Sequence, residues 1–336
     1  MKISVIIPCR NEAKYIEECI DAIYANRLEE NIEVNTIIVD GLSDDGTREI
    51  IQKLQLKYTN LHLVDNEKQL TPFAFNLGIK YQKADFYQIV GARQILSLNY
   101  LQKAIDCLLK DSTVWCVGGS VDNVYVNYTS EMIAKAMSTS FGMGLGNFRT
   151  LTKSGFTDTV GTPMYSAQVF EEIDFFDEDL VRNQDDDFNY RVTKAGGKIW
   201  FESEIELKYY VRGSFTGLFR QFFQYGYWKV FVNKKHKAVT TLRQLVPPFF
   251  TLFSILLPFI ISVCPIGFLG NICFSFYGLF AFYFSMKKAK TFTDFVYVFI
   301  TFPILHYSYG MGYLLGMIHF LILNKKPTEK HTRLSR

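Results

Sequence analysis

No C-x-x-C pair occurs anywhere in the 336 residues, and no histidine cluster accompanies Cys9, Cys19, Cys107, Cys116, Cys264 or Cys273. That excludes a zinc site and a disulfide framework. It leaves reduced cytosolic thiols, with Cys264 and Cys273 as small hydrophobes in an apolar run. Strong charge of either sign is also missing. A net charge of +3 offers no nucleic-acid-binding surface. The apolar start, Ile3–Ile7, is too short for a signal-peptide core and ends at Pro8, so the first domain is expected on the cytoplasmic side. Charged residues, at 21%, are outweighed by 49% hydrophobic ones, which excludes intrinsic disorder.

The missing charge has a location. From Gln244 to Met286 the chain carries no Asp, Glu, Lys or Arg for 43 residues. One bilayer crossing takes about 20 residues, so the run holds two helices, with Cys264-Pro265-Ile266-Gly267 as the turn between them. A second uncharged run, Phe295–Leu323, contains Pro303, Gly310, Gly312 and Gly316. It reads either as one long tilted span or as an interfacial piece followed by a span. The first 243 residues carry net −3 and the remainder +6, so the basic character belongs to the greasy tail. Lys234, Lys235, Lys237 and Arg243 precede the first span, and Lys287, Lys288 and Lys290 follow the second, placing both clusters in the cytoplasm. The tail residues Lys325, Lys326, Lys330, Arg333 and Arg336 are basic too, so a single third crossing would break that rule. Aromatics at 16%, with 31 Phe and 20 Tyr, fit the same lipid setting.

The length allows two domains at roughly 100–200 residues each. The first 125 residues alternate short β-rich runs with helical spacing. Ile3–Ile7, Val34–Val39, Leu61–Val64, Phe86–Val90 and Val114–Val117 read as strands. Glu12–Ala25, Thr47–Leu56, Pro72–Tyr81 and Leu98–Leu109 read as helices. This rhythm predicts a mostly parallel twisted sheet flanked by helices. Ligands of such sheets bind beyond the carboxyl ends of the strands, which singles out Pro8–Glu12, Asp40–Thr47 and Gly91–Gln94. Residues 125–212 show less regular pattern, and hold Gly142, Gly144 and Gly146. Ser214–Lys235 reads as an amphipathic helix with Phe215, Leu218, Phe219, Phe222, Phe223 and Trp228 on its apolar side. With Lys229 and the basic residues after it, this helix suits an anionic membrane surface.

Two segments carry chemistry. In Asp40-Gly41-Leu42-Ser43-Asp44-Asp45-Gly46-Thr47, a carboxylate at a strand end can accept hydrogen bonds from a ribose or uracil edge. The same string also suits an N-cap turn. In Asn183-Gln184-Asp185-Asp186-Asp187-Phe188-Asn189-Tyr190-Arg191, Asp185 falls at a helix start, where the dipole keeps a carboxylate ionised. An ionised carboxylate in a cleft can take a proton from an attacking hydroxyl. A solvated, Asp-rich helix N-terminus is the plainer alternative.

The chain resembles family 2 glycosyltransferases of the GT-A fold. More narrowly, it is similar to the membrane-attached succinoglycan type that extends lipid-linked sugars in exopolysaccharide synthesis. The resemblance rests on VIIPCRNE (5–12), VDGLSDDGT (39–47), TPFAFNLGI (71–79), VGGSV (117–121), DTVGTPMYS (158–166), RNQDDDFNYRVTKAGGKIWF (182–201) and RQFFQYGYWK (220–229). It implies a GT-A catalytic domain over 1–212, an interfacial helix and basic linker over 213–243, membrane helices over 244–323 and a basic cytoplasmic tail over 324–336. It implies a multi-pass plasma-membrane enzyme with a cytoplasmic catalytic domain. That enzyme would move a sugar from a UDP-linked donor to a polyprenyl-diphosphate-linked saccharide, with inversion, alongside polysaccharide assembly proteins.

Residue by residue, the resemblance makes Asp185 the catalytic base, with Gln184 where the family has Glu. Donor contacts fall on Pro8, Arg10, Asn11, Glu12, Asp40, Ser43, Asp45, Gly91 and Arg93, with Asp40 on the uridine. Gln184, Asp187, Arg191, Gln224 and Trp228 lie toward the acceptor or the membrane. The segment Gln224–Trp228 resembles the family's Q-x-x-R-W element with Tyr227 in the Arg position, which favours single-sugar addition over processive synthesis. The family's Asp-x-Asp or Asp-x-His motif holds a Mg2+ or Mn2+ ion on the donor diphosphate. Here that site reads Gly91-Ala92-Arg93. A divalent cation is therefore one expectation, and an Arg93 guanidinium balancing the diphosphate is the other. An inactive nucleotide-binding or scaffold subunit is the alternative function. A transporter is disfavoured because two-thirds of the chain is an α/β pattern. Truncation after Arg243 is expected to release a partly soluble domain.

Overall fold

The computed structural model describes residues 1–144, 151–211, 213–260 and 264–326. Gly146, Lys330, Arg333 and Arg336 lie outside the described residues, as do residues 261–263. The chain divides into two compact units, one of Met1–Val124 with Leu151–Tyr210 and one of Tyr125–Thr150 with Val211–Arg336. The second unit therefore takes in 125–150, which the expected 1–212 boundary gave to the catalytic domain.

In the first unit the chain runs β1 (Lys2–Cys9), α1 (Ile16–Tyr24), β2 (Glu33–Asp40), α2 (Thr47–Lys57), β3 (Leu61–Asp65), α3 (Thr71–Tyr81), β4 (Phe86–Ile89), β5 (Gln94–Leu96), α4 (Tyr100–Lys110) and β6 (Val114–Tyr125). It departs into the second unit through α5 (Tyr128–Met137) and α6 (Ser140–Met143). It returns with β7 (Gly155–Thr157), β8 (Gly161–Ser166), α7 (Gln168–Glu172), α8 (Gln184–Lys194) and β9 (Lys198–Val211). The sheet order is β3-β2-β1-β4-β8-β6-β9-β5, with β7 on β9. The β3-β2-β1-β4 half is parallel, whereas β8 joins β4 and β6 antiparallel, as β5 and β7 join β9. The sheet is mixed, so the expectation of a mostly parallel one holds for that half alone.

The parallel half is buried as its composition demands. Ile3, Val5, Ile6 and Ile7 of β1 are fully buried, and so are Ile37, Ile38 and Val39 of β2. On α3, a Cβ at Gly78 would lie 2.4 Å from Ile6 Cγ2, so the helix rests on β1 only because position 78 has no side chain. Part of the stretch read as less regular is one long strand: Ile199, Phe201, Ile205 and Leu207 share one face and are all buried along β9.

The second unit adds α9 (Phe215–His236), α10 (Val246–Ile260), α11 (Cys264–Lys288) and α12 (Phe292–Gly316), which continues as a π-helical turn over Met317–Ile322. Cys264–Gly267 is the first turn of α11, not a link between helices. The second uncharged run is one continuous helix. Gly226 and Gly312 let α9 and α12 touch backbone to backbone: a Cβ at either would lie 2.0 Å from a carbonyl of the other helix, Tyr309 and Phe223 respectively. Gly226, Tyr227, Trp228, Lys229 and Val230 of α9 are all buried. Its centre is packed within the second unit, while Phe219, on the expected apolar side, is exposed. Lys234 donates to the carbonyl of Phe320 (2.8 Å) and to Asn324 Oδ1 (2.6 Å), tying α9 to the π-turn.

By contrast, α10 and α11 expose large apolar side chains, among them Phe249, Phe259, Phe268, Phe276 and Leu279. Among the described residues, one helical stretch, Leu242–Phe259, is long and apolar enough to cross a membrane by length and composition.

Candidate nucleotide-sugar site

Parallel register sets the site. Cys9, Asp40 and Asp65, the last residues of β1, β2 and β3, stand side by side. Val90, just past β4, bonds to Ile6 of β1 at 3.0 Å. The loops that leave these strand ends therefore start next to one another, where ligands of open α/β sheets bind.

The first two loops are zipped together. Asn11, left-handed at φ 56°, donates its backbone N–H to Ser43 Oγ (2.8 Å) and its side-chain amide to Asp44 Oδ1 (2.9 Å). Asp44 N–H returns a bond to Asn11 Oδ1, Glu12 N–H reaches Thr47 Oγ1 (2.9 Å), and Ala13 N–H reaches Asp45 Oδ2. Partial desolvation would raise the Asp45 carboxyl, but the Thr47 hydroxyl and the N–H groups of Ala13 and Thr47 hold it below the ordinary range. Asn11, Ser43 and Asp45, expected as donor contacts, thus join the two loops. Arg10 lies with its side chain against Gly41, where a Cβ would come within 3.2 Å of Arg10 Cδ. Pro8 is half-buried within β1, opposite Val39. Burial, then the Asp40 and Glu12 carboxylates, push the Cys9 thiol well above its usual range, so it stays a neutral thiol.

Asp40 is fully buried. Its Oδ2 accepts Ser43 N–H (2.9 Å) and Arg48 Nη1 (2.8 Å), and its Oδ1 accepts the Ser43 hydroxyl. The direct uridine contact expected of it has no exposed carboxylate oxygen to use. Arg48, which the sequence reading passed over, also pairs with Asp65 at 2.8 Å, and Asp65 is more than half exposed. A basic residue in the first turn of α2 runs against the helix dipole. That was the available signal for a carboxylate nearby. Asn66, just past β3, was also missed. Its N–H bonds to the Asp40 carbonyl, while its side-chain Oδ1 is buried with no hydrogen-bond partner.

At the end of β4, Gly91 donates its N–H to Gln94 Oε1 at 2.6 Å. Arg93 Nε donates to Glu12 Oε2 at 2.6 Å, with the guanidinium 4.9 Å from the centre of the Tyr15 ring. Tyr15 in turn meets Tyr210, whose hydroxyl donates to Glu18. A divalent cation wants several oxygen ligands. Position 91 has no side chain, position 93 is a cation, and Glu12 is already paired to it. Among the described residues no group of three or more His, Cys, Asp or Glu is placed to hold a metal. These residues do not fit the ion that the family motif holds.

Asp185 lies in the first turn of α8, exposed, with Oδ1 accepting the N–H of Asp186 at 3.0 Å. Asn183, left-handed at φ 59°, turns the chain into that helix. The helix rests on β8 through Phe188 and Tyr165, whose ring centres are 5.1 Å apart. Burial first, then the neighbouring Cys116 and Asp185, push the Tyr165 phenol well above its usual range. Gln184 Oε1 is buried and has no hydrogen-bond partner.

Of the other expected acceptor-side residues, two are on α8 with Asp185 and two belong to the second unit. Asp187 is fully buried and pairs with Arg191 Nε at 3.0 Å, while Arg191 also holds the carbonyls of Ile173 (2.6 Å) and Phe175 (2.8 Å). This pair braces α8 against the preceding loop and leaves no carboxylate for an acceptor. Trp228 is fully buried in the second unit and Gln224 half-buried there.

Comparison with known proteins places this geometry. The model of glycosyl transferase family 2 matches residues 4–174. The chain is 32% identical over 241 residues to the dolichyl N-acetyl-alpha-D-glucosaminyl phosphate 3-beta-D-2,3-diacetamido-2,3-dideoxy-beta-D-glucuronosyltransferase of Methanococcus voltae, covering 69% of this chain and 74% of that one. It is 28% identical to the succinoglycan biosynthesis protein ExoA of Rhizobium meliloti, over 72% and 73% of the two chains. Among solved structures, a mannosyltransferase from Pyrobaculum calidifontis in complex with GDP-Man and Mn2+ superposes with a TM-score of 0.62 at 15% identity, over 93% of this chain and 86% of that one. That last likeness speaks for the fold, which is GT-A. With just over half its length matched by the family model, the chain belongs to glycosyl transferase family 2 and is a glycosyltransferase.

Proposed function

We propose that the protein transfers one sugar from a nucleoside-diphosphate donor, UDP-linked, to a lipid-linked saccharide, with inversion, and that Asp185 is the general base. The acceptor hydroxyl gives its proton to the Asp185 carboxylate as its oxygen attacks the anomeric carbon. The bond from that carbon to the phosphate oxygen breaks, and the nucleoside diphosphate leaves with the electron pair from the opposite face. The observation that carries this reading is the exposed Asp185 carboxylate beside the buried, unpartnered Gln184 Oε1. The first is an exposed carboxylate that can take a proton from an attacking hydroxyl, and the second is an acceptor that a sugar hydroxyl would satisfy.

At the other end, the zipped loops form a rigid rim. Asp40 supports that end from behind through Ser43 and Arg48, and does not touch the nucleotide. Asp187 and Arg191 hold α8 in place. A lipid-linked acceptor is supported by the name of the Methanococcus relative, which acts on a dolichyl-phosphate-linked sugar. It is supported too by the exposed apolar side chains of α10 and α11, which suit acyl chains better than water. On this reading α10, α11 and α12 are embedded in the cytoplasmic membrane as a multi-pass anchor, and the protein serves cell-surface polysaccharide or glycan assembly.

The test is a panel of UDP-, GDP- and dTDP-sugars read by thermal shift on the full chain in detergent. The stabilising donor is then assayed for transfer to polyprenyl-phosphate- and polyprenyl-diphosphate-linked saccharides, with the anomeric configuration of the product read by NMR. A retained configuration, or turnover unchanged in Asp185→Asn, defeats the assignment.

A further inference from the structure

In the reading above, the donor's diphosphate brings negative charge to the ends of β1 and β4, and that charge increases as the sugar leaves. Something must balance it. Oxygen ligands for a divalent cation are not assembled there, but a guanidinium is.

We propose that Arg93, anchored by Glu12 and Tyr15, is a preassembled clamp for the donor's diphosphate and binds it without a divalent metal. The anchor is specific. Glu12 takes Nε at 2.6 Å and the Tyr15 ring lies 4.9 Å from Cζ, so one edge and one face of the guanidinium are fixed by protein. Nη1 and Nη2 make no hydrogen bond among the described residues, and a quarter of the side chain is exposed. That pair of N–H-bearing nitrogens is the fork that matches two phosphate oxygens. Because the plane is already held, little side-chain freedom is lost when the ligand arrives.

The loop geometry keeps the clamp in place. The turn that carries Arg93 is closed by Gly91 N–H donating to Gln94 Oε1 at 2.6 Å. Glu12 is itself fixed, since its N–H is held by Thr47 Oγ1 across the zipped loops. It is 13% exposed, so Arg93 is what compensates its charge. Glu12 is therefore a positioning residue for Arg93, and its role in binding the nucleotide runs through that guanidinium. The proposal rests on the nucleotide-sugar reading and gives it a cation.

The experiment is calorimetric titration of UDP, GDP and the matching monophosphates into the full chain in detergent, once in excess EDTA and once with Mg2+ or Mn2+. One diphosphate should bind in EDTA. Arg93→Ala should weaken it about ten- to a hundredfold, while its monophosphate binds as before, which also reports an intact fold. Arg93→Lys, which lacks the fork, should recover only part of the affinity. Glu12→Ala should weaken diphosphate binding by a few-fold, and Glu12→Gln, which keeps an acceptor for Nε, should restore it. If a diphosphate binds only with the metal and Arg93→Ala binds as tightly as the wild type, the clamp is wrong and the nucleotide-sugar reading stands. If neither diphosphate binds under any condition, both fall.

Discussion

Asp40→Asn separates a residue that touches the nucleotide from one that shapes the place where the nucleotide sits. The substitution keeps the size of the side chain and removes its charge. Two donors, Ser43 N–H and Arg48 Nη1, converge on Oδ2, so the new carbonyl oxygen takes that place. The new amide nitrogen then faces Ser43 Oγ, and the hydroxyl rotates to accept. Hydrogen bonds survive in number, but the partner of Arg48 becomes neutral. Breaking a fully buried ion pair costs about 3–5 kcal/mol. Here Arg48 is 29% exposed and keeps Asp65, so solvent screening reduces the expected loss to about 1–2 kcal/mol. That is about a 5- to 30-fold rise in amide exchange for the segment closing the end of β2, residues 40–48. Hydrogen–deuterium exchange of the full chain, with nucleotide affinity measured on the same sample, reads both quantities. The reasoning predicts faster exchange and an affinity loss of similar size, since the rim is displaced along with its support. Unchanged exchange with affinity lost by two orders of magnitude would refute it and return Asp40 to direct contact with the base.

Asp185→Asn should lower turnover by about 10²–10⁴ while donor affinity stays within about twofold, measured by single-turnover transfer and titration. Asp187→Ala should do the opposite in kind. Removing the partner of Arg191 from a fully buried position should cost about 3–5 kcal/mol, seen as a lower thermal midpoint, with Asp187→Asn recovering part of it. Gly312→Val should disrupt the second unit, since even a Cβ would sit 2.0 Å from the Phe223 carbonyl, and no rotamer of a larger side chain relieves a backbone clash. Loss of the monodisperse peak in detergent chromatography is the readout, and an unaffected profile would contradict the close approach of α9 and α12.

Local pattern carried the parallel half of the sheet, because a strand buried on both faces must be apolar throughout, and Ile3–Ile7 is. It carried the helix start at Asp185 for a similar reason, since Asn183 turns the chain and three aspartates follow it. Pairings distant in sequence left little trace. Nothing near Arg93 announces Glu12, 81 residues earlier, and the basic residue in the first turn of α2 hints at a carboxylate without saying that it is Asp40. Burial of a carboxylate depends on which cation arrives, and that is set by the register of three strands. The α9 helix shows the same limit. Its aromatic spacing suggests one apolar side, but Gly226 invites another backbone, and that contact buries Tyr227 and Lys229 with the rest. The β9 strand was passed over within the less regular stretch, and it outlasts the usual strand length of about five to six residues.

The composition of the second unit changes what a truncation should do. Cutting after Arg243 removes α10, α11 and α12 but leaves α5 and α6, whose apolar faces were packed on them. Met132 and Ala136 are buried with Ala281, Val298 and Phe302, and Ile133 with Leu305. The Phe141 ring is enclosed by Tyr277, Phe284, Phe302 and His306. The Tyr128 hydroxyl and the Lys135 ammonium both lose Asp294. Tyr227 and Phe231 on α9 lose the π-turn they pack against. Each large side chain stripped of its cover forfeits about 1.5–3 kcal/mol, so half a dozen of them cost as much as a whole domain's stability of about 5–15 kcal/mol. The expected product is therefore a sticky fragment that stays dispersed only in detergent, not a soluble enzyme. A monodisperse, detergent-free 1–243 fragment that still binds nucleotide would show that α5 and α6 find other cover, and that the sheet unit ends where the sequence alone had placed its boundary.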